Sequence, residues 1–295
     1  MCTLLSMISA RGRVLASNSD NPYVAATRVI AETSGETAWI GSEVLTPDSR
    51  EPLPWSRMLT RAVNLHGVGF TYSYVEHAAE DEGRTESQLT RSIISDTRSA
   101  EQCAEQLVYH AQKLVNGNYL VADRDALFGV AVRAGESVSR QLPEAQFACT
   151  NTWFVDEFET APSWSETTFS NERRSEALSG LRDVLVGDES DVSGLRRILS
   201  SDGQGHDESS VEVHGEDRGT ISSEIILPGD GIFCWCYGFP SGRAKGFESV
   251  TRESWGTYLP FSLDRLDGSG VLATSSGMVT PLGVRALDLN HKLEC

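Results

Sequence analysis

The order of its elements constrains this chain more than any other feature. Met1–Ile8 reads as a strand that turns at Arg11-Gly12-Arg13 and returns through Val14-Leu15-Ala16. Thr27–Glu32, Thr37–Ile40 and Val68–Val75 are β-branched or aromatic runs bounded by Gly, Pro and Asp. Two helical pieces are expected over 85–115, the first opened by Thr85-Glu86-Ser87-Gln88. Ser99, three residues before Gln102, fits a capping box for the second, and Asn116-Gly117-Asn118 is a stop. Strands resume at Tyr119–Ala122, Phe128–Val132, Ser137–Arg140 and Phe147–Thr150; 171–186 and 190–200 are helical by pattern. A hairpin of Ile221–Leu227 and Ile232–Tyr237 turns through Pro228-Gly229-Asp230-Gly231. Strands, two helices, strands, two helices and strands again do not alternate as a parallel doubly wound sheet does. The pattern predicts two sheets with helices on their outer faces, an α+β fold.

Composition removes several function classes. With 42 acidic and 25 basic side chains the formal charge is −17, which argues against binding a nucleic-acid backbone or an anionic membrane. No apolar run approaches the length of a membrane span. Six cysteines in 295 residues, with no C-x-x-C pair, are too sparse for a disulfide framework, so reduced thiols and a cytoplasmic location are expected. The first residues lack a basic region and a cleavage site, so no targeting segment is expected. The acidic stretch Ser201–Gly219 predicts a surface loop or lid that would favour cationic amines. Its His206, Asp207, Glu208, Glu212 and His214 match no zinc spacing, and no phosphate loop or dinucleotide fingerprint occurs, so neither metal nor cofactor is expected.

The chemistry concentrates at residue 2. If Met1 is removed, Cys2 carries a thiol and an α-amine with ordinary pKa values of about 8.5 and 8. The amine can take the thiol proton and later give it to a leaving group, so one residue supplies nucleophile and base. The plain alternative is a buried structural cysteine at a strand start. Ser17-Asn18-Ser19-Asp20-Asn21-Pro22 reads as a polar turn ending the returning strand, beside the N-terminus, where Asp20 can orient the α-ammonium. The alternative for Asp20 is an ordinary turn residue. His66, His77 and His110 have no Ser or Cys partner recognisable by spacing.

Cys-Thr at the start with Asn-x-Asp some 16 residues later resembles the N-terminal nucleophile hydrolases. The branch most similar is that of the acyl-CoA:6-aminopenicillanic acid acyltransferase-like proteins, relatives of the choloylglycine and penicillin V amidases. Arg61–Val68 (RAVNLHGV) looks like that branch's Met-Asn-x-x-Gly strand segment, and Gly117–Asp123 (GNYLVAD) its Gly-Asn-hydrophobic-x-x-Ala-Asp segment. Thr150–Phe154 is similar to its Thr-Asn-His-Phe, Ser170–Arg173 to its Ser-x-x-Arg, and Thr220–Ser223 leading to Gly238-Phe239-Pro240 to its C-terminal strand and ending.

The resemblance implies a four-layer αββα sandwich of two mainly antiparallel sheets, forming a single domain over residues 1–295. It implies attack on a linear amide or thioester, an acyl-enzyme, and then hydrolysis or transfer to an amine, with a role in secondary metabolism. By position Cys2 matches the nucleophile and Asp20 the residue near the α-amine. Asn151 matches an oxyanion-hole or substrate-orienting asparagine, with Asn64 as a second, and Arg173 a supporting arginine. An asparagine N–H suits an oxyanion as a neutral donor. The family's usual Arg is replaced by Ser17, so a thiolate-supporting cation is missing unless Arg11, Arg13 or Arg28 substitutes; Thr152 stands where the family has His. The leading expectation is an amidase acting on a small acylated amine, and a homo-oligomer is compatible with it. Acyl transfer, a glutamine amidotransferase-type domain (which favours Gly where Thr3 stands) and a noncatalytic binding protein remain the alternatives.

Overall fold

The computed structural model describes residues 2–22, 25–34, 36–45, 57–75, 88–158, 164–186, 191–201, 211, 213, 218–237, 259–263, 269–274 and 277–278. Two antiparallel sheets make up its centre. The first contains, in spatial order, β10 (Gln146–Cys149), β1 (Cys2–Ser9), β2 (Gly12–Pro22), β11 (Arg218–Leu227), β12 (Ile232–Tyr237) and β13 (Leu259–Ser262). The second runs β15 (Gly277–Met278), β14 (Gly270–Thr274), β3 (Ala26–Ser34), β4 (Thr37–Leu45), β5 (Leu59–Asn64), β6 (Gly69–Tyr74), β7 (Gly117–Ala122), β8 (Leu127–Arg133) and β9 (Glu136–Gln141).

Alternation along the strands creates three apolar layers. Leu4 and Leu15 of the first sheet meet Val29, Ile40, Val63 and Leu120 of the second in the space between them. The outer face of the second sheet, with Trp39, Phe70, Tyr72 and Tyr119, is covered by α1 (Leu89–Asp96) and α2 (Ala100–Tyr109) through Ile93, Ile94, Cys103 and Leu107. The outer face of the first, with Leu5, Met7, Val14 and Ala16, is covered by α3 (Trp164–Val186) and α4 (Asp191–Leu199) through Ala177, Leu181, Leu195 and Ile198. Helix, sheet, sheet, helix is the expected αββα order.

Local chemistry explains the ends. Ser99 caps α2 by accepting from Gln102 N, while the Gln102 side chain accepts from Arg98 N. Asp123 reaches the same helix start, accepting from Ala100 N at 2.9 Å.

Two expectations are corrected. Ser17–Pro22 is not a turn but the second half of β2, where Ser17 to Asn21 are all buried. A polar run can continue a buried strand when its side chains find partners, as when Asn18 donates to Leu199 O and Val211 O. Asn116-Gly117-Asn118 does not end a helix: α2 stops at Tyr109 and Gly117 already opens β7. A Cβ on Gly117 would sit 2.3 Å from Ser73 O, so glycine is needed for the neighbouring strand to approach. Within 201–219, Ser201 donates to Glu176, Arg218 and Gly219 belong to β11, and Val211 and Val213 are buried; the rest of that lid, including its His, Asp and Glu cluster, lies outside the described residues, as do Thr85–Ser87, His77 and Gly238–Pro240. Strands β13 to β15 were not foreseen, and α3 begins seven residues earlier than the pattern suggested.

Candidate active site

Cys2 is the first residue of β1 and pairs with Ser19 of β2. Because it shares a face with Leu4, its thiol lies on the side of the first sheet that meets the second. It is 8% exposed. On its other flank Leu4 pairs with Cys149, which puts Asn151 opposite Cys2, just beyond the ladder. There the Cys2 nitrogen donates to Asn151 Oδ1 at 2.6 Å, and Asn151 Nδ2 donates to Tyr74 O at the end of β6. A single amide thus joins the nitrogen of residue 2 to the second sheet.

The segment holding Asn151 is clamped on both sides. Thr150 O accepts from Ser73 Oγ (2.9 Å) and from Asn118 Nδ2 (3.3 Å), and Asn118 Nδ2 also donates to Thr152 O at 2.8 Å. Thr150 Oγ1 donates to Ser170 O at the start of α3's sheet-facing stripe of Ser170, Arg173, Ala177, Leu181 and Val184. Two segments quoted for the family resemblance, around Asn118 and Ser170, therefore meet at Thr150, the residue before Asn151.

Asp20 and Arg173 are brought together on the helix-covered face of the first sheet. Asp20 Oδ1 accepts from Thr220 Oγ1 at 2.6 Å, and Arg173 Nη1 lies 3.4 Å from Asp20 Oδ2 with both side chains fully buried. A register shift between Thr220 and Ser222 sets Thr220 opposite Asp20 while Ser222 pairs with Ser19.

Asn64 stands differently. Its Nδ2 donates to Ile94 O and Thr97 O, both at 2.7 Å, and its Oδ1 accepts from His66 N and Val68 N. Both amide hydrogens are committed to the end of α1, so Asn64 fixes a turn and has no hydrogen left for an oxyanion.

None of Arg11, Arg13 or Arg28 serves as the missing cation. Arg11 faces Asp230, Arg13 donates to Glu144 O and Leu142 O, and Arg28 pairs with Glu43. The cation beside the thiol is Arg61 of β5, reaching across from the second sheet with Nη2 3.8 Å from Cys2 Sγ. Its Nε donates to Ser17 Oγ at 3.0 Å and lies 3.2 Å from Glu224 Oε2 of β11. Glu224 in turn accepts from the hydroxyls of Ser222, Ser42 and Ser17. Burial works to lower the Arg61 pKa, but Glu224, Cys2 and Asp20 outweigh it and the net direction is up, so the guanidinium stays charged. Burial lifts the Glu224 carboxyl above its ordinary range, against the pull of Arg61 and the three hydroxyls. The Cys103, Cys149 and Cys234 thiols are pushed up to about 12, chiefly by burial.

Neither Arg61 nor Glu224 was singled out from the sequence. The available signal was a lone charge in each of two otherwise uncharged strand cores, Leu59–Asn64 and Gly219–Leu227. Among the described residues no cluster of His, Cys, Asp and Glu is arranged to hold a metal, and no helix is long and apolar enough to cross a membrane.

No family model matches the chain, and no curated protein matches it by sequence. Solved structures do match by shape. Penicillin V acylase from Agrobacterium tumefaciens aligns with a TM-score of 0.51 at 10% identity, over 97% of this chain and all of the other. The Caenorhabditis elegans ortholog of N-acylethanolamine-hydrolyzing acid amidase aligns with a TM-score of 0.54 at 12% identity, over 78% of this chain and 93% of its own. These likenesses establish that the chain has the αββα fold of the N-terminal nucleophile hydrolases.

Proposed function

We propose that this protein is a cysteine-dependent amidase that cleaves the linear C–N bond of a small acylated amine, with Cys2 as nucleophile once Met1 is removed. The observation that carries the reading is the position of Cys2: a nitrogen held by Asn151 Oδ1 and a thiol facing the space between the sheets, on a fold shared with an acylase and an amidase. Fixation of the nitrogen by a clamped asparagine matters because an α-amine acts as base only if its lone pair is aimed.

The reaction then runs in two halves. Cys2 Sγ gives its proton to its own α-amine and bonds the substrate carbonyl carbon, whose oxygen becomes an oxyanion. Asn151 supports this oxyanion with its second Nδ2 hydrogen, the first being used on Tyr74 O. Collapse breaks the C–N bond as the ammonium passes its proton to the leaving amine, leaving a thioester. Water, deprotonated by the same amine, releases the acid and restores the thiol. Asp20, one residue past the strand partner of Cys2 and backed by Arg173 and Thr220, supplies the negative charge that favours the ammonium form. Reduced buried thiols suit a cytoplasmic setting.

Intact mass and a panel of acyl amides test this. Protein from its native host is expected to lack Met1 and to release free acid from at least one amide, and Cys2→Ala to abolish turnover. Retained Met1, or turnover that survives Cys2→Ala, refutes the proposal. An amide product formed with an added amine in preference to free acid would make the enzyme an acyltransferase instead.

A further inference from the structure

We propose that Arg61 is a catalytic residue of this site, the cation that supports the Cys2 thiolate from the opposite sheet, and that Glu224 is the buried counter-ion that positions it. The inference deepens the amidase reading and rests on Cys2 being the nucleophile.

Arg61 occupies a costly place. All six residues of β5 are buried, and a guanidinium there gives up its hydration. A buried ion pair contributes little net stability compared with apolar residues of similar volume, so stability alone does not account for the pair. The hydrogen bonds of the guanidinium show what it is aimed at. Nε is taken by Ser17 and Glu224, Nη1 by Thr60 Oγ1 at 2.9 Å, and Nη2 by Asn18 O at 3.0 Å together with Cys2 Sγ at 3.8 Å. A planar fork held at Nε and Nη1 has little freedom at Nη2, so contact with the sulfur is set by the frame. Oxygen acceptors from both sheets surround the guanidinium; apart from the Glu224 carboxyl, the thiol is the one contact whose acceptor strength grows when a proton leaves. The positive charge therefore faces the atom on which negative charge forms when the sulfur acts as nucleophile.

Glu224 has the complementary arrangement. Three serine hydroxyls and Arg61 hold its two oxygens, with Ser42 coming from β4 and Ser17 and Ser222 from the first sheet. The carboxylate touches Nε, at the far end of the fork from the Nη2 that faces sulfur. It anchors the arginine without lying against the thiol. Ser17 fits this frame, since its hydroxyl both accepts from Arg61 and donates to Glu224.

Alkylation of Cys2 by iodoacetamide tests the assignment without any amide substrate, so its failure is separable from failure of the amidase reading. The rate at Cys2, followed by peptide mass from pH 5.5 to 10, is compared in wild type, Arg61→Met, Arg61→Lys, Glu224→Gln and the double variant Arg61→Met/Glu224→Leu. The double variant leaves no unpaired buried charge and keeps the test available if Arg61→Met alone does not fold. Loss of an opposite charge at this separation is expected to move the profile upward by roughly one to three pH units. Because a more basic thiolate is also more nucleophilic, the rate at pH 7 should fall about tenfold rather than by the full factor. The double variant should match Arg61→Met, Arg61→Lys should recover a large part of the neutral rate, and Glu224→Gln should move the profile the opposite way. Wild-type profiles in the methionine variants, or no recovery with lysine, overturn the role of Arg61. An upward shift in Glu224→Gln overturns the role of Glu224 as a counter-ion.

Discussion

Replacing Asn118 by leucine, a side chain of similar volume, would test whether the Asn151 segment is held in place by its neighbours. Asn118 donates from one nitrogen to Thr150 O and Thr152 O, the carbonyls on either side of Asn151. Thr150 O keeps a second donor in Ser73 Oγ, whereas Asn118 is the donor recorded for Thr152 O. Two lost hydrogen bonds cost about 1 kcal/mol each, and a partly buried carbonyl left without its donor adds roughly another 1–2. The sum is about 3–4 kcal/mol. At roughly 2 °C per kcal/mol for a chain of this size, the melting temperature should fall by about 6–8 °C. Ser73→Ala removes one bond from a carbonyl that retains another, so a fall of about 2 °C is expected. If the clamp serves Asn151, loosening it also displaces the acceptor of the Cys2 nitrogen, and misplacement near 1 Å costs on the order of 100-fold in rate. Calorimetry and turnover of any amide found to be cleaved, measured well below the melting temperature, provide the two readouts. A drop in melting temperature with turnover intact would show that the clamp is structural only and refute the reasoning.

Two further outcomes follow from burial. A carboxyl whose native pKa is raised contributes its stability below the unfolded value, near 4.5 for Glu224, and loses it as pH climbs through the native value. Wild type should therefore lose stability relative to Glu224→Gln as pH rises above about 4.5 in thermal melts; a relative gain would reverse the assignment. The thiols of Cys103, Cys149 and Cys234 sit near 12, so native protein alkylated briefly at pH 8 should be labelled at Cys2 and spared at these three. Peptide mapping that found Cys149 labelled as fast as Cys2 would contradict this.

Most of the fold was legible because its signals are local. The opening hairpin, the Ser99 cap and the hairpin ending near Tyr237 each depend on residues within a few positions of one another. The expectations that failed depended on partners far along the chain. Ser17–Pro22 carries the composition of a turn, and continues as a strand because β11 lies against it, some 200 residues later, and α4 receives Asn18. Asn116-Gly117-Asn118 has helix-stop composition too, yet Gly117 is there to let Ser73 approach and Asn118 to hold the Asn151 segment.

The site divides along the same line. Cys2, Asp20, Asn151 and Arg173 were proposed because each sits in a segment of recognisable order, and the structure places them in two groups around the start of β1, Cys2 with Asn151 and Asp20 with Arg173. Asn64 was found for the same reason, yet its segment order reports a turn closed on α1 rather than a donor to the site. The cation was missed because a motif read along one strand assigns it to that strand. Position 17 holds a serine, but the space beside Cys2 is bounded by two sheets, and β5 delivers the Arg61 guanidinium to within 3.8 Å of the sulfur. What betrays such a substitution in a sequence is a matched pair of isolated opposite charges, here Arg61 in LTRAVN and Glu224 in SSEIIL, in strands otherwise fit for burial. Neither charge is tolerable there alone, so each predicts the other, and together they predict that the strands face one another across a core. The same rule bears on the missing Arg at 17: its loss is compatible with a supported thiol while Arg61 keeps its place beside Cys2 Sγ, and Glu224 is the counter-ion that makes that place tenable.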